Sequence, residues 1–224
     1  MLISLWNELS KALALFVSLP KSILFNLRYL PLQQALRLPI LISYRIKLKD
    51  LRGRIVLDRV APGIVQIGFN SLSFATGHGD GLWNVTGTVH FHGKARLGCH
   101  PIINVKGTLE IGDQFECGHC FLLFCDEHVH FGNNTLISWN VEVMDTDIHH
   151  ITDAQAQTLN PAKAVSVGEH VWIGSHACLL KGSSIAEHSI VAAHAVVTKA
   201  FDQANILLAG NPATVKKHSV DWQA

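Results

Sequence analysis

From Val167 onward the chain falls into sixes: VGEHVW, IGSHAC, LLKGSS, IAEHSI, VAAHAV. The first position is aliphatic throughout, at Val167, Ile173, Leu179, Ile185 and Val191, and Val197 continues the column. The fifth position is small after Val171, at Ala177, Ser183, Ser189 and Ala195. The same register runs upstream in FHGKAR, IGDQFE and FGNNTL, whose first residues Phe91, Ile111 and Phe131 recur every twenty positions. Stacking these segments predicts three columns: Phe91/Ile111/Phe131/Val167/Ile185, Leu97/Cys117/Ile137/Ile173/Val191 and Ile103/Leu123/Val143/Leu179/Val197. A fixed short period implies a solenoid. Each coil has three flat faces, one aliphatic residue per face points inward, and each coil shields its neighbours' apolar edges.

The fourth position holds His100, Asn134, Asn140, His170, His176, Gly182, His188 and His194. Asn and His are among the non-glycine residues that tolerate positive φ. Many of the fourteen histidines are therefore expected at corners.

A chain of 224 residues, 48% hydrophobic and 16% charged, is globular and not disordered. Its near-zero net charge is unevenly split. Residues 1–54 carry nine Lys/Arg and two Asp/Glu, residues 55–224 nine and fifteen. There is no basic stripe or motif for nucleic acid. Five cysteines, an odd number, with no evident leader or spanning run, fit a reduced, cytoplasmic protein. The pair in "ECGHC" has the spacing of a zinc site, but the hexads point Cys117 inward and place Cys120 at a corner, so no metal is expected there.

The rhythm breaks at "SWNVEVMDTDIHHI", Ser138–Ile151. The column above Phe131 should resume near Ile151, yet it resumes at Val167. The excursion, about 148–166, is entered through Asp145, Asp147, His149 and His150. A long insertion in a compact fold is usually functional. An imidazole with a reference pKa of about 6.5 can deprotonate a hydroxyl as it attacks a thioester. A carboxylate on its second nitrogen would fix its tautomer. Asp145 and Asp147 are both candidates for that role.

The hexads, the "D-x-D-x-H-x-I" segment and the closing AGNPATVKK resemble the hexapeptide-repeat acyltransferases, in particular their sugar O-acetyltransferase branch. The resemblance covers about 55–217 and implies a left-handed parallel β-helix, usually trimeric. It implies His149 as the base, assisted by Asp147 or Asp145, with His150 at a variable position. It puts Asn140 near the acceptor, and Trp139 could pack on a sugar ring or at a trimer interface. It implies acetyl-CoA as donor, the pantetheine arm passing Ser175, Ala193, Thr198 and Lys199 in a groove between subunits. Lys216 and Lys217 would then meet the nucleotide phosphates. The acceptor is expected to be a sugar hydroxyl in a bacterial surface polysaccharide such as lipopolysaccharide or capsule.

Two other readings stand beside this one. One is a zinc carbonic anhydrase of the same fold, using histidines among His119, His128, His130, His149 and His150. The other is a silent scaffold that binds a membrane or a partner. Residues 1–54 form a separate helical, basic and apolar segment, and residues 218–224 a tail. "LWNELSKALALFVSL" reads as a helix, with Pro20, Pro31 and Pro39 breaking the chain beyond it into short pieces. The segment either caps the solenoid's open end or lies in a membrane interface, at the inner face of the membrane. Asn70–Trp83, polar and Gly-rich, reads as a loop reaching towards a neighbour's site.

Overall fold

The computed structural model describes residues 2–69 and 80–223. Two helices, α1 (Leu2–Tyr29) and α2 (Leu32–Ala35), precede strands that are nearly all short. The strands stack into three parallel sheets, one per face of a triangular, left-handed β-helix. Face one has nine strands from Ile40–Ile42 to Thr214–His218. Face two has seven from Ile46–Asp50 to Val196–Val197, and face three has seven from Arg54–Leu57 to Ala200–Phe201.

All three predicted columns form. Phe91, Ile111, Phe131, Val167 and Ile185 pair in successive coils. So do Leu97 through Val191 and Ile103 through Val197. These side chains are buried and constitute the core. All eight fourth-position residues have positive φ, from 53° at His170 to 77° at Gly182. The glycine in the second hexad position has a different cause. A Cβ on Gly132 would lie 2.6 Å from the backbone of Gly168 and Glu169 in the next coil. At Gly132 the next coil's backbone leaves no room for a side chain unless something shifts.

The coils begin at Ile40, upstream of the boundary at 55 suggested by the hexads. Ile40–Ile42 pairs with Val65–Ile67, and Ile46–Asp50 pairs with Gly81–Asn84. Gly81–Trp83, expected within a loop, is therefore strand; Asp80 directly precedes it, and 70–79 lie outside the described residues. Pro20 does not break α1, which continues to Tyr29. The helix is tied to the solenoid on both sides of the proline. Ser18 Oγ accepts from Tyr44 N (3.0 Å) and Ser22 Oγ from Ile42 N (3.0 Å). Asn26 accepts from Ile40 N (3.2 Å) and donates to Ile40 O (2.7 Å). These side chains, four residues apart on one helical face, take the place of a neighbouring strand along an otherwise open edge. α1 thus caps the first coil. At the other end, Gly210 (φ 104°) and the cis Asn211–Pro212 bond turn the chain, and Thr214–His218 returns antiparallel to Ile206–Ala209.

Cys117 is buried and desolvation pushes its thiol up to about 12. Cys120 is exposed at its corner with φ 55°. The two point apart, as the register requires. No helix among the described residues is long and apolar enough to cross a membrane.

Candidate active site

The excursion leaves face two after Glu142–Met144 and re-enters on face three at Val165–Val167. Asp145, at its entrance, is wholly buried. Its carboxylate accepts from the backbone N–H groups of Asp126 (2.7 Å), Glu127 (2.8 Å) and His128 (2.8 Å). Its own carbonyl accepts from Lys163 N (2.9 Å), at the far end of the loop. Asp145 therefore rebuilds a corner that the excursion would otherwise leave open. It makes no bond to His149, and its candidacy as the imidazole's partner is corrected on that ground.

Asp147 is also engaged elsewhere. It accepts from Lys181 Nζ (2.5 Å) and Asn160 Nδ2 (2.7 Å). The Lys181 ammonium, then the Asn160 amide, hold its carboxyl below the usual carboxylate range. Asn160 is the hub of this clamp. Besides Asp147, its amide donates to His149 O (2.9 Å), its carbonyl oxygen accepts from Ile151 N (2.6 Å), and its backbone O accepts from Lys181 (3.1 Å). A small hairpin closes the tip, with Leu159 N donating to Ile151 O (2.7 Å) and a bridge between Thr152 and Thr158.

Ile148, immediately before His149, sits at φ 64°. A β-branched residue in that region is strained, and such strain persists only where surrounding bonds enforce it. Here Thr146 Oγ1 accepts from Ile148 N (3.1 Å), and His149 N donates to Asp147 O (2.6 Å). His149 and His150 are exposed. Neither imidazole is hydrogen-bonded to any other described residue. Among the described residues, none supplies the carboxylate expected on His149. What the chain does supply is a backbone clamp that presents a free imidazole at the break in the coils.

Asn140 and Trp139 occupy a different edge. Asn140 is a corner residue (φ 54°), and its Nδ2 lies 3.3 Å from His176 Nε2. Trp139 stacks on His119, with ring centroids 6.2 Å apart and planes within 3°. It helps line a groove of about 300 Å³ with Trp172, Trp222 and Leu136 on face one. The face-two strand separates this edge from the excursion, a span of about 16 Å from Asn140 to Asp145 in extended chain.

The expected coenzyme residues divide the same way. Ser175 and Ala193 lie on the Asn140 edge, where His194 N donates to Ser175 O (3.0 Å). Thr198 and Lys199 lie on the edge of the excursion, one coil beyond Lys181, with Lys199 Nζ 5.4 Å from the Phe201 ring centroid. Lys216 and Lys217 are exposed on the returning strand. The five histidines of the zinc alternative do not converge within the described chain. His128 bonds Glu110, His119 stacks on Trp139, and His149 and His150 are on the excursion. Lys181 and Asn160 were not singled out by the sequence as site residues. Asn160 reads there as part of a turn before Pro161, and Lys181 reaches the loop from another coil.

No family model matches the chain. A provisionally named acetyltransferase of Dictyostelium discoideum is 40% identical over 113 residues, covering 49% of this chain and 57% of that protein. A polysialic acid O-acetyltransferase of Escherichia coli O1:K1 is 38% identical over 124 residues, covering 54% of this chain and 40% of that protein. The chain thus spans about half the length of the curated relatives it matches. Among solved structures, the polySia-specific acetyltransferase NeuO superposes with a TM-score of 0.61 at 20% identity, covering 80% of this chain and 72% of that one. At that identity the likeness concerns the fold.

Proposed function

We propose that the protein transfers an acetyl group from acetyl-CoA to a sugar hydroxyl of a bacterial surface polysaccharide, with His149 as general base. One observation carries this reading: the clamp of Asp147, Asn160 and Lys181 delivers an uncommitted imidazole at the long break in the solenoid after Met144. The neutral ring takes the hydroxyl proton as the oxygen attacks the thioester carbonyl. The tetrahedral intermediate collapses, the C–S bond breaks, and the imidazolium returns the proton to the departing thiolate. Such assistance is typically worth about 10²–10⁴-fold. Asp147 and Asn160 are positioning residues in this scheme. The relatives named as acetyltransferases support it.

A homotrimer accounts for the divided coenzyme residues. Where protomers meet edge to edge, Ser175 and Ala193 of one copy would face Thr198 and Lys199 of another, and the groove between them would take the pantetheine arm. Lys216 and Lys217 are then left for the phosphates. The test is acetyl transfer from acetyl-CoA to a panel of bacterial glycans, read by mass spectrometry, alongside sedimentation equilibrium. No transfer to any glycan, with coenzyme A failing to bind, rejects the function. A monomer that transfers efficiently rejects the intersubunit site.

A membrane contact belongs to the same reading. The side of α1 opposite Ser18, Ser22 and Asn26 exposes Leu9, Leu13, Phe16, Leu24 and Leu27. No acidic residue occurs between positions 9 and 49, whereas Lys21, Arg28, Arg37 and Arg45 do. An apolar stripe with purely cationic flanks suits an anionic bilayer surface. Flotation with phosphatidylglycerol vesicles should recover the protein, and Phe16→Glu with Leu24→Glu should abolish recovery. Equal recovery of the variant refutes the contact.

A further inference from the structure

Face three carries on its outer surface, near its junction with face one, a cluster unconnected with the excursion. His90 and His92 both point outward from the strand end around Thr88–Phe91, flanking the inward Phe91. Asp58 follows the paired strand Arg54–Leu57, and its backbone N–H donates to Phe91 O (3.2 Å), which fixes it between the two histidines. Asp58 Oδ1 lies 2.6 Å from His90 Nε2 and Oδ2 lies 2.7 Å from His92 Nδ1. The ligand atoms of all three lie within 4.8 Å of one another. The other ring nitrogen of His92, Nε2, is 3.3 Å from Glu110 Oε2, and Glu110 Oε1 is 2.9 Å from His128 Nε2.

We propose that Asp58, His90 and His92 bind a divalent transition-metal ion of the zinc class, with Glu110 orienting His92 from behind. Two imidazoles and one carboxylate are a donor set for Zn²⁺, leaving a fourth position for water. Bond lengths of about 2.0–2.1 Å set ligand atoms about 3.3 Å apart around a tetrahedral ion. The present Asp58–imidazole separations open by well under an ångström to reach that. A ligating histidine ordinarily donates its remaining N–H to a carboxylate, and Glu110 is placed to receive it. The donors stand on or directly beside paired strands, which hold a site more rigidly than loops do. Arg59, the one cation adjacent in sequence, is turned to Asp113 (3.0 Å) and leaves Asp58 free of it.

The second histidine–carboxylate group, His170, His188 and Asp221, lacks these features. Asp221 lies in the C-terminal tail, and His170 Nε2 already faces Trp222 O (3.2 Å). It serves as an internal control.

The experiment is titration of Co²⁺ into the metal-stripped full chain, followed by visible d–d absorption and by displacement with Zn²⁺. One cobalt per chain with the intensity of a low-coordinate site is expected. His92→Ala or Asp58→Ala removes the band, Glu110→Gln weakens binding about 10–100-fold, and His170→Ala leaves it unchanged. X-ray absorption on the wild-type zinc form needs no variant and should show two imidazoles with oxygen. The proposal is overturned by absence of a stoichiometric band, by a band that survives His92→Ala or vanishes with His170→Ala, or by a sulfur-containing shell.

Discussion

At the scale of single residues, the two aspartates entering the excursion have separate jobs. Asp145 satisfies three backbone donors inside the solenoid. Asp145→Ala leaves these three part-buried donors without their carboxylate, and should cost on the order of 3 kcal/mol in urea unfolding. Asp147 acts at the surface and holds the loop. Because its folded pKa is lowered, its contribution is present above the ordinary carboxylate value of about 3.9 and is lost as pH falls through the depressed one. Proteolysis within 148–163 should therefore accelerate in strong acid before the coils unfold, and Asp147→Asn should remove that acid-induced step. His149→Ala should lower kcat about 10²–10⁴-fold with coenzyme A affinity kept, and His150→Ala should leave turnover near wild type. The reverse ranking would exchange their roles. Asn160→Ala frees the His149 carbonyl, so kcat should drop while the thermal midpoint of the core barely moves.

Elements were legible in the sequence where one local rule repeats. A hexad column needs only an aliphatic residue facing its counterpart, and every coil restates that demand, so register could be written down from Phe91 to Val197. Corner geometry followed for the same reason, because His and Asn at fixed spacing reveal the positive φ. Legibility ended where distant segments decide. Pro20 predicts a break, but its side chain is exposed and Ser18 and Ser22 bind the first coil on either side of it, so tertiary bonds hold the helix straight through. The early coils escaped notice because Ile40–Ile42 and Ile46–Asp50 lack the glycine and corner signals of the later ones. Within the excursion, the histidine could be picked out but its support could not. Lys181 and Asn160 are separated from it by chain, and only the fold brings them together. The glycine columns give a test at this scale: Gly132→Ala forces a Cβ against the next coil's backbone and should cost about 1–3 kcal/mol, read from the denaturation midpoint.

For the molecule as a whole, the sheets are parallel except for one closing strand, and nearly all pairing lies between adjacent coils. Stability is then carried from neighbour to neighbour, as in other stacked repeats. Each end of the stack has its own stop: the polar face of α1 at one, and a strand running backwards, Thr214–His218, at the other. Nothing in the repeat itself sets how many layers there are. Take away the returning strand and the last rung, Ile206–Ala209, would show a naked row of amides and carbonyls, an invitation for the next molecule to dock and go on growing as a filament. The strand Thr214–His218 thus acts as a terminator on face one, stopping there a pattern able to run without limit.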